Sequence, residues 1–453
     1  MARNRKITFS TTQIILLSFL LTILLGSLLL ALPISSASGK AVPYLDALFT
    51  ATTSTCVTGL VTLPTVSTWS VFGQVVILIL IQVGGLGIIT IMSGLMILLH
   101  KKMGIGDRLL IQDAFNLNTM SGLVKFIKNV LFGTLIIEGI GALCYMLVFI
   151  PDCGARGIWI SVFNAVSAFC NAGIDIIAEN SLCNYATNPL INGVTATLII
   201  LGGLGYIVWR DVIRVCKSRT AKNRKVFKRL TLHSKIAITF TAGLIFVGGI
   251  LIFIFEYSNP LTIGEMSLFD KLQVSFFQSI TTRTAGFATV PQENLTNASA
   301  ALSILWMMIG GSPVGTAGGM KTVTVAVLLC SAFATVRNKN EPTLFGRRIS
   351  EQSLKKAVAV AVTFLTICAI STVLLMFGSN GSAIDVVYEA VSATATVGLS
   401  RNFTATLDAF GKWLMIATMY FGRVGPISLA VALGSKNESQ NVISEPVEEI
   451  SVG

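Results

Sequence analysis

Charge is scarce in this chain. Acidic and basic residues together make up 12% of 453 residues, against 53% hydrophobic ones, where a soluble domain carries roughly 25% charge. Histidine occurs twice, at His100 and His233, with no partner at metal-ligand spacing, which excludes a His-based metal centre. The eight cysteines contain no Cys-x-x-Cys pair, so a thiolate metal site or dithiol redox motif is excluded too. Cys153 and Cys183 share one external segment and could be bridged, but free thiols are the favoured reading. Enzyme signatures are missing. The stretch Gly315-Thr316-Ala317-Gly318-Gly319-Met320-Lys321-Thr322 mimics a phosphate-binding loop, yet Met320 stands where GxxxxGK[ST] requires glycine. Nucleotide binding is rejected on that ground, and no cofactor is expected in this chain.

Long apolar runs are what the chain has instead. Its mean hydropathy is +0.77, and a membrane span needs about 20 apolar residues. Candidate spans come in pairs: Thr12–Leu32 and Val71–Leu99, Val124–Ile150 and Leu190–Trp209, Ile236–Phe255 and an interrupted Ala300–Val336, Ala357–Phe377 and Trp413–Leu433. The first has a basic start, but it is longer than a signal-peptide core and is read as a retained span. Between the members of each pair lies a semi-apolar segment of about a dozen residues, such as Tyr44–Ser54 or Ile158–Phe169, a length that suits a re-entrant half-helix.

Each half-helix leads into a glycine loop. Gly59, Gly173, Gly286 and Gly398 recur at intervals of 114, 113 and 112 residues, which points to internal duplication. Ten residues before each glycine stand Phe49, Phe163, Phe276 and Tyr388, and one residue after stand Leu60, Ile174, Phe287 and Leu399. The expected fold is an all-α integral membrane protein of four span–pore-helix–span repeats. Eight spans and four re-entrant loops would surround one central pore with pseudo-fourfold symmetry. The repeats are expected at 1–105, 106–222, 223–342 and 343–436, followed by a cytoplasmic tail, 437–453, with acids Glu445, Glu448 and Glu449.

Charge orients these units. The stretches 1–13, 99–129, 210–235 and 337–356 with Lys436 hold 25 of the 33 lysines and arginines. By the positive-inside rule the termini and inter-repeat loops are cytoplasmic, and the glycine loops enter from outside. The net charge of +12 is therefore topology, and no nucleic-acid role is needed. The cluster from Arg214 to Lys235 could also touch anionic lipid or a cytosolic partner.

Non-helical backbone is tolerated inside a membrane only where protein buries it or water lines it. The loops Thr55–Gly59, Phe169–Gly173, Thr282–Gly286 and Thr394–Gly398 contain no acidic ring, so a bound cation would be held by backbone carbonyls. The candidate ion ligands are Val57, Thr58 and Gly59, then Asn171, Ala172 and Gly173, then Thr284, Ala285 and Gly286, and last Thr396, Val397 and Gly398. The half-helices would end at these loops with the negative ends of their dipoles toward the pore. Asp46, Asp270 and Asp385 lie near three of the helix starts. The glycines around Gly84, Gly202 and Gly249 are read as helix-packing residues, and Glu138 as a packing or pairing residue rather than an ion ligand.

With these loops, the break at residues 310–319 in the second span of the third repeat and Arg423 in the fourth, the chain resembles the Trk/Ktr/HKT superfamily of potassium transporters over nearly its whole length. The first span, near residue 12, is closer to the Ktr-type membrane subunit than to the longer Trk type. The resemblance implies a homodimer with one pore per subunit in the cell membrane of a bacterium. It also implies a cytosolic KtrA/TrkA-like ring that carries the nucleotide. In that superfamily a serine at the first filter glycine is associated with sodium permeation, so four glycines favour potassium as substrate; sodium activation stays open.

Two features interrupt the repeat. Residues 310–319 hold five glycines and a proline, which cannot remain a regular lipid-facing helix. Gly310, Gly311, Ser312, Gly315, Thr316, Gly318, Gly319 and Lys321 are the expected gating loop, and the resemblance implies an intramembrane gating loop at this place. Arg423 lies deep inside a span, where a charge is a functional-site hypothesis by default. It is expected to face the pore and touch the Gly310–Thr322 loop. For Lys321, snorkelling toward the cytoplasm is an equal alternative. The expected function is potassium uptake through a carbonyl-lined filter. The alternatives are a sodium or mixed monovalent-cation transporter and an ion-coupled secondary transporter with inverted repeats.

Overall fold

Helices carry nearly all the regular structure, and the side chains that start them are legible. The computed structural model describes residues 11–99, 104–114, 122–217, 226–339, 341–379 and 381–425. Both chain termini, the 437–453 tail and the part of Trp413–Leu433 beyond Gly425 lie outside the described residues.

The first quarter of the chain forms α1 (Thr11–Leu30), α2 (Tyr44–Thr55), the single turn α3 (Thr65–Thr68), α4 (Val71–Leu86) and α5 (Ile88–Leu98). The second forms α6 (Ile105–Ala114), α7 (Leu123–Cys153), α8 (Arg156–Cys170), α9 (Pro189–Leu204) and α10 (Tyr206–Lys217). The third forms α11 (Val226–Arg229), α12 (Leu232–Glu256), α13 (Leu268–Thr281), α14 (Asn297–Met308) and α15 (Thr322–Val336). The fourth opens with a small hairpin, β1 (Thr343–Leu344) and β2 (Arg347–Arg348), followed by α16 (Glu351–Gly378), α17 (Ala383–Ala395) and α18 (Ala409–Val424). Ser70, Thr231, Ser267, Thr296, Ser350, Ser382 and Asp408 each accept a backbone N–H of the first turn at their helix starts.

The packing is inverted relative to a soluble protein. The long helices turn apolar side chains outward, with Leu21, Phe132, Phe246 and Phe377 all exposed. The short helices α2, α8 and α17 are buried, and so is much of α13. In α2 three buried hydroxyls are satisfied locally, Thr50, Thr52 and Ser54 each donating to a carbonyl one turn back.

The four quarters close on one another. Helix α4 packs on α8, α9 on α13, α14 on α17, and α18 returns to α2. Glycines make three of these helices fit: a Cβ at Gly84, Gly202 or Gly422 would overlap the carbonyl of Thr55, Phe169 or Thr394, at or just before the end of a short helix. Gly249 is likewise in close contact with the Phe276 ring.

Among the described residues four helices, α1, α7, α12 and α16, are long and apolar enough to cross a membrane, and counting each of two bent pairs as one span gives six, by length and composition. Val71–Leu99 and Leu190–Trp209 are not continuous, because α4 and α5 meet at 99° and α9 and α10 at 93°. The reason is a glycine in the left-handed region at each break, Gly87 with φ 84° and Gly205 with φ 86°, a conformation that ends a right-handed helix. Gly425 repeats this at the end of α18 with φ 95°.

Candidate functional site

Each glycine loop leaves its short helix through the same backbone inversion. Val57, Asn171, Thr284 and Thr396, two residues before the glycines, all have positive φ, and so do Gly59, Gly173, Gly286 and Gly398. The residues between them do not. The N–H groups of Thr58, Ala172, Ala285 and Val397 turn back to carbonyls of the short helices at 2.8–3.0 Å. A trans peptide points its C=O opposite to its N–H, so the carbonyls of Val57, Asn171, Thr284 and Thr396 face away from those helices.

The loops meet in a closed ring. A Cβ on Gly59 would stand 2.5 Å from the Ala172 carbonyl oxygen, one on Gly173 2.7 Å from that of Ala285, and one on Gly286 2.6 Å from that of Val397. On Gly398 it would overlap the Thr58 carbonyl, which returns the series to the first loop. No side chain fits at any of the four positions, for lack of space and because of φ. The twelve expected ligand residues thus come together in one place.

Hydroxyls behind the ring hold it, and sequence reasoning did not single them out. Thr53 accepts the Gly59 N–H at 3.0 Å and Ser392 accepts the Gly398 N–H at 3.1 Å. Ser167 donates to the Ile174 carbonyl and Thr281 to that of Phe287. The signal was present: Thr53, Ser167 and Ser392 each stand six residues before their glycine. Glu389, fully buried, accepts from Thr404 beside the fourth loop.

Beneath the ring, residues 309–321 form a loop rather than helix. Its base is closed by Gly310 N–H to Met320 O at 2.9 Å and Met320 N–H to Met308 O at 3.1 Å. Ser312 and Thr316 donate through their backbone to Gly203 and Gly202, and the Ser312 hydroxyl pairs with Thr322. The Thr316 hydroxyl lies against the Phe169 carbonyl and Asn171 Oδ1, while Gly318 N–H reaches Thr284 Oγ1 at 3.1 Å. A Cβ on Gly318 would overlap Thr396 Oγ1. The loop therefore abuts glycine loops two, three and four. Gly311, Gly315 and Gly319 also belong to it, with Gly311 and Gly315 packed against the α9 backbone.

Arg423 donates to the Thr316 carbonyl at 2.7 Å and to the Gly84 carbonyl at 2.6 Å. Lys321 turns back on the loop and donates to the Ala317 carbonyl at 2.5 Å, so its ammonium does not snorkel away. Both line a cavity of about 470 Å³ with Tyr206 and Ser18. Glu138 is buried and accepts from Gln82 at 3.2 Å, a pairing between quarters one and two.

On the other side of the ring, a cavity of about 250 Å³ is lined by the four glycines with Asp175, Glu179 and Glu293. Burial pushes the Asp175 carboxyl up to about 6. The acids at the short-helix starts have partners: Asp46 meets Lys412 and Asp385 meets Arg401, each at 2.6 Å, while Asp270 accepts from Ser267. Arg401 also donates to the Gln292 and Glu293 carbonyls, joining quarters three and four. Cys153 and Cys183 are free thiols.

Three comparisons bear on this arrangement. The TrkH family model, described as a cation transport protein, matches residues 3–444. The chain is 37% identical over 457 residues to the potassium/sodium uptake protein NtpJ of Enterococcus hirae, covering 100% of this chain and 99% of that one. It is 38% identical over 437 residues to the Ktr system potassium uptake protein B of Bacillus subtilis, covering 96% and 95%. The crystal structure of the potassium transporter TrkH from Vibrio parahaemolyticus superposes with a TM-score of 0.75 over 96% of this chain and 87% of that chain. At 15% identity that likeness is one of fold.

Proposed function

Since this chain belongs to the TrkH family of cation transport proteins and is therefore a membrane transporter and not an enzyme, we propose that it is the ion-translocating subunit of a potassium uptake system. The observation that carries this reading is the closed ring in which each glycine touches a carbonyl of the next loop. Carbonyls turned away from all four short helices offer a dehydrated potassium ion replacement ligands. The short helices then act as pore helices with their negative ends toward the ion.

In this reading the bent pairs and the α14–α15 pair are second spans, and α18 belongs to the eighth. The four repeats keep the boundaries 1–105, 106–222, 223–342 and 343–436, and the ring of glycines faces outward with both termini in the cytoplasm. The acidic cavity above the ring is the outer mouth, where Asp175, Glu179 and Glu293 attract cations. Loop 309–321 is the gate. Arg423 and Lys321 hold its carbonyls and place positive charge on the path, which opposes idle cation passage. A homodimer regulated by a cytosolic nucleotide-binding ring follows from the family resemblance.

A second reading, passage of sodium with potassium, is favoured by one observation. The four loops differ, with Asn171 in the second and Arg283 in the third, so the ring is less uniform than four identical loops would make it. Uptake in a potassium-transport-deficient bacterium, with and without the cytosolic partner, tests both. Growth on low potassium is expected with the intact pair. No growth would sink the transport assignment, and equal potassium and sodium uptake would favour the second reading.

A further inference from the structure

Three cationic side chains hold loop 309–321 by its carbonyls, and the third comes from the glycine ring itself. Arg423 takes Thr316 and Lys321 takes Ala317. Arg283 Nη2 donates to the Gly310 carbonyl at 3.4 Å and to Thr241 Oγ1 on α12 at 3.2 Å. Arg283 is buried, its Nε–H has no hydrogen-bond acceptor, and among the described residues no carboxylate pairs with it.

The position is singular. Three residues before each glycine stand Cys56, Cys170, Arg283 and Ala395, so three of the four loops carry a small uncharged residue there. Arg283 follows the end of α13, where a cation is stabilised by unpaired helix carbonyls. That accounts for its tolerance but not for its reach to Gly310, at the base of the loop. The next residue makes a matching contact: Thr284 Oγ1 accepts the Gly318 N–H at 3.1 Å. Consecutive residues of one glycine loop therefore grip both ends of the loop beneath.

We propose that Arg283 is a positioning residue that fastens the third filter loop to the base of the gating loop, so that opening the gate loosens the filter segment above it. The inference rests on the transport reading given above. Removing the guanidinium frees the Gly310 carbonyl, and a buried acceptor without its charged donor favours the open, hydrated arrangement. Thr284 then bears the coupling alone, and its peptide shifts with the gate. Leak and loss of ion preference should appear together.

The test uses the full-length chain in membrane vesicles, with and without the cytosolic partner, measuring potassium and sodium uptake. Arg283→Gln should raise partner-free potassium uptake about tenfold, the shift expected when one hydrogen bond to a charged group is lost, and should lower potassium preference over sodium. Arg283→Lys, which keeps the charge with a shorter reach, should fall between Gln and wild type. Thr241→Val removes only the other acceptor and should behave as wild type. The proposal is overturned if Arg283→Gln, present at wild-type amounts with an unchanged elution volume, keeps low partner-free uptake and unchanged preference. It is also overturned if Thr241→Val reproduces the Gln phenotype, since Arg283 would then serve packing on α12. Where the Gln variant does not accumulate, wild-type behaviour of the Lys variant overturns it. Absence of uptake by the wild-type pair would instead defeat the transport reading.

Discussion

Lys412 Nζ lies 2.6 Å from Asp46 Oδ1, although 366 residues separate the two. The pair closes the seam where α18 returns to α2, and Thr62 donates to the same carboxylate oxygen at 2.9 Å. The lysine and aspartate side chains are 19% and 10% exposed, between the surface and the buried regimes. Lys412→Met should therefore cost about 1–3 kcal/mol, less than a fully buried pair and more than an exposed one. Thermal unfolding in detergent would show the loss, and adding Asp46→Leu should restore part of it by removing the orphaned carboxylate. Full stability in Lys412→Met would mean that the seam does not depend on the ion pair.

Gly59 has φ 102°, and a side chain there would meet the Ala172 carbonyl oxygen at 2.5 Å. Gly59→Ser must shift two loops, at about 1–3 kcal/mol for the backbone strain. Potassium uptake should fall at least about tenfold and the preference over sodium should narrow. A serine variant with wild-type preference would separate the ring from ion choice.

Arg423→Gln removes the cation that joins Thr316 to Gly84. Potassium uptake without the cytosolic partner should rise, because the loop loses a charge-assisted tether and the path loses a positive charge. Rubidium influx into vesicles gives the rate; an unchanged rate would remove Arg423 from the gate.

Thr53→Val and Ser392→Ala leave the buried Gly59 N–H and the half-buried Gly398 N–H without their acceptors, at about 1–3 kcal/mol for the buried one and less for the other. Because these hydroxyls sit behind the ring, the expected signature is weaker potassium preference with little change in partner dependence. Paired flux measurements in the two cations would check it. Altered partner dependence with intact preference would place the hydroxyls in gating instead.

Asp175 should confer acid sensitivity. Its carboxyl is pushed up to about 6 by burial, against hydrogen bonds from Ser181 and from the Ile177 and Ala178 N–H groups that favour the ionised form. Glu179 and Glu293 share its cavity, and Tyr145 and Cys183 lie within its electrostatic reach. A raised carboxylate pKa means that a proton binds as pH falls through about 6, so the mouth loses negative charge below that value. Uptake at subsaturating potassium should fall across that window, and Asp175→Asn should flatten the decline. A wild-type profile in the Asn variant would assign the titration to another group.

Much of this architecture was visible because duplication writes it four times. The period of Gly59, Gly173, Gly286 and Gly398 identified the loops, and the glycine-rich interruption at 310–319 identified the break in the third quarter. The breaks at Gly87 and Gly205 were not visible. A glycine within an apolar run reads the same whether it packs a helix or ends one, and only φ distinguishes the two. Gly84 and Gly202 do pack, three residues before glycines that do not. The reach of Arg283 to Gly310 and of Lys412 to Asp46 depends on tertiary distances that no local spacing encodes. Lys321 was ambiguous for another reason: a flexible stem can carry its charge toward water or back to a carbonyl.

The ring of four loops is written in a single reading frame. In an assembly of four identical chains, one codon change strikes every quadrant at once; here it strikes one and leaves three in place. A ring of this kind can drift by quarters, so that one quadrant accepts an arginine while its counterparts keep cysteine or alanine. Its inheritance is graded where that of a fourfold assembly is all or none.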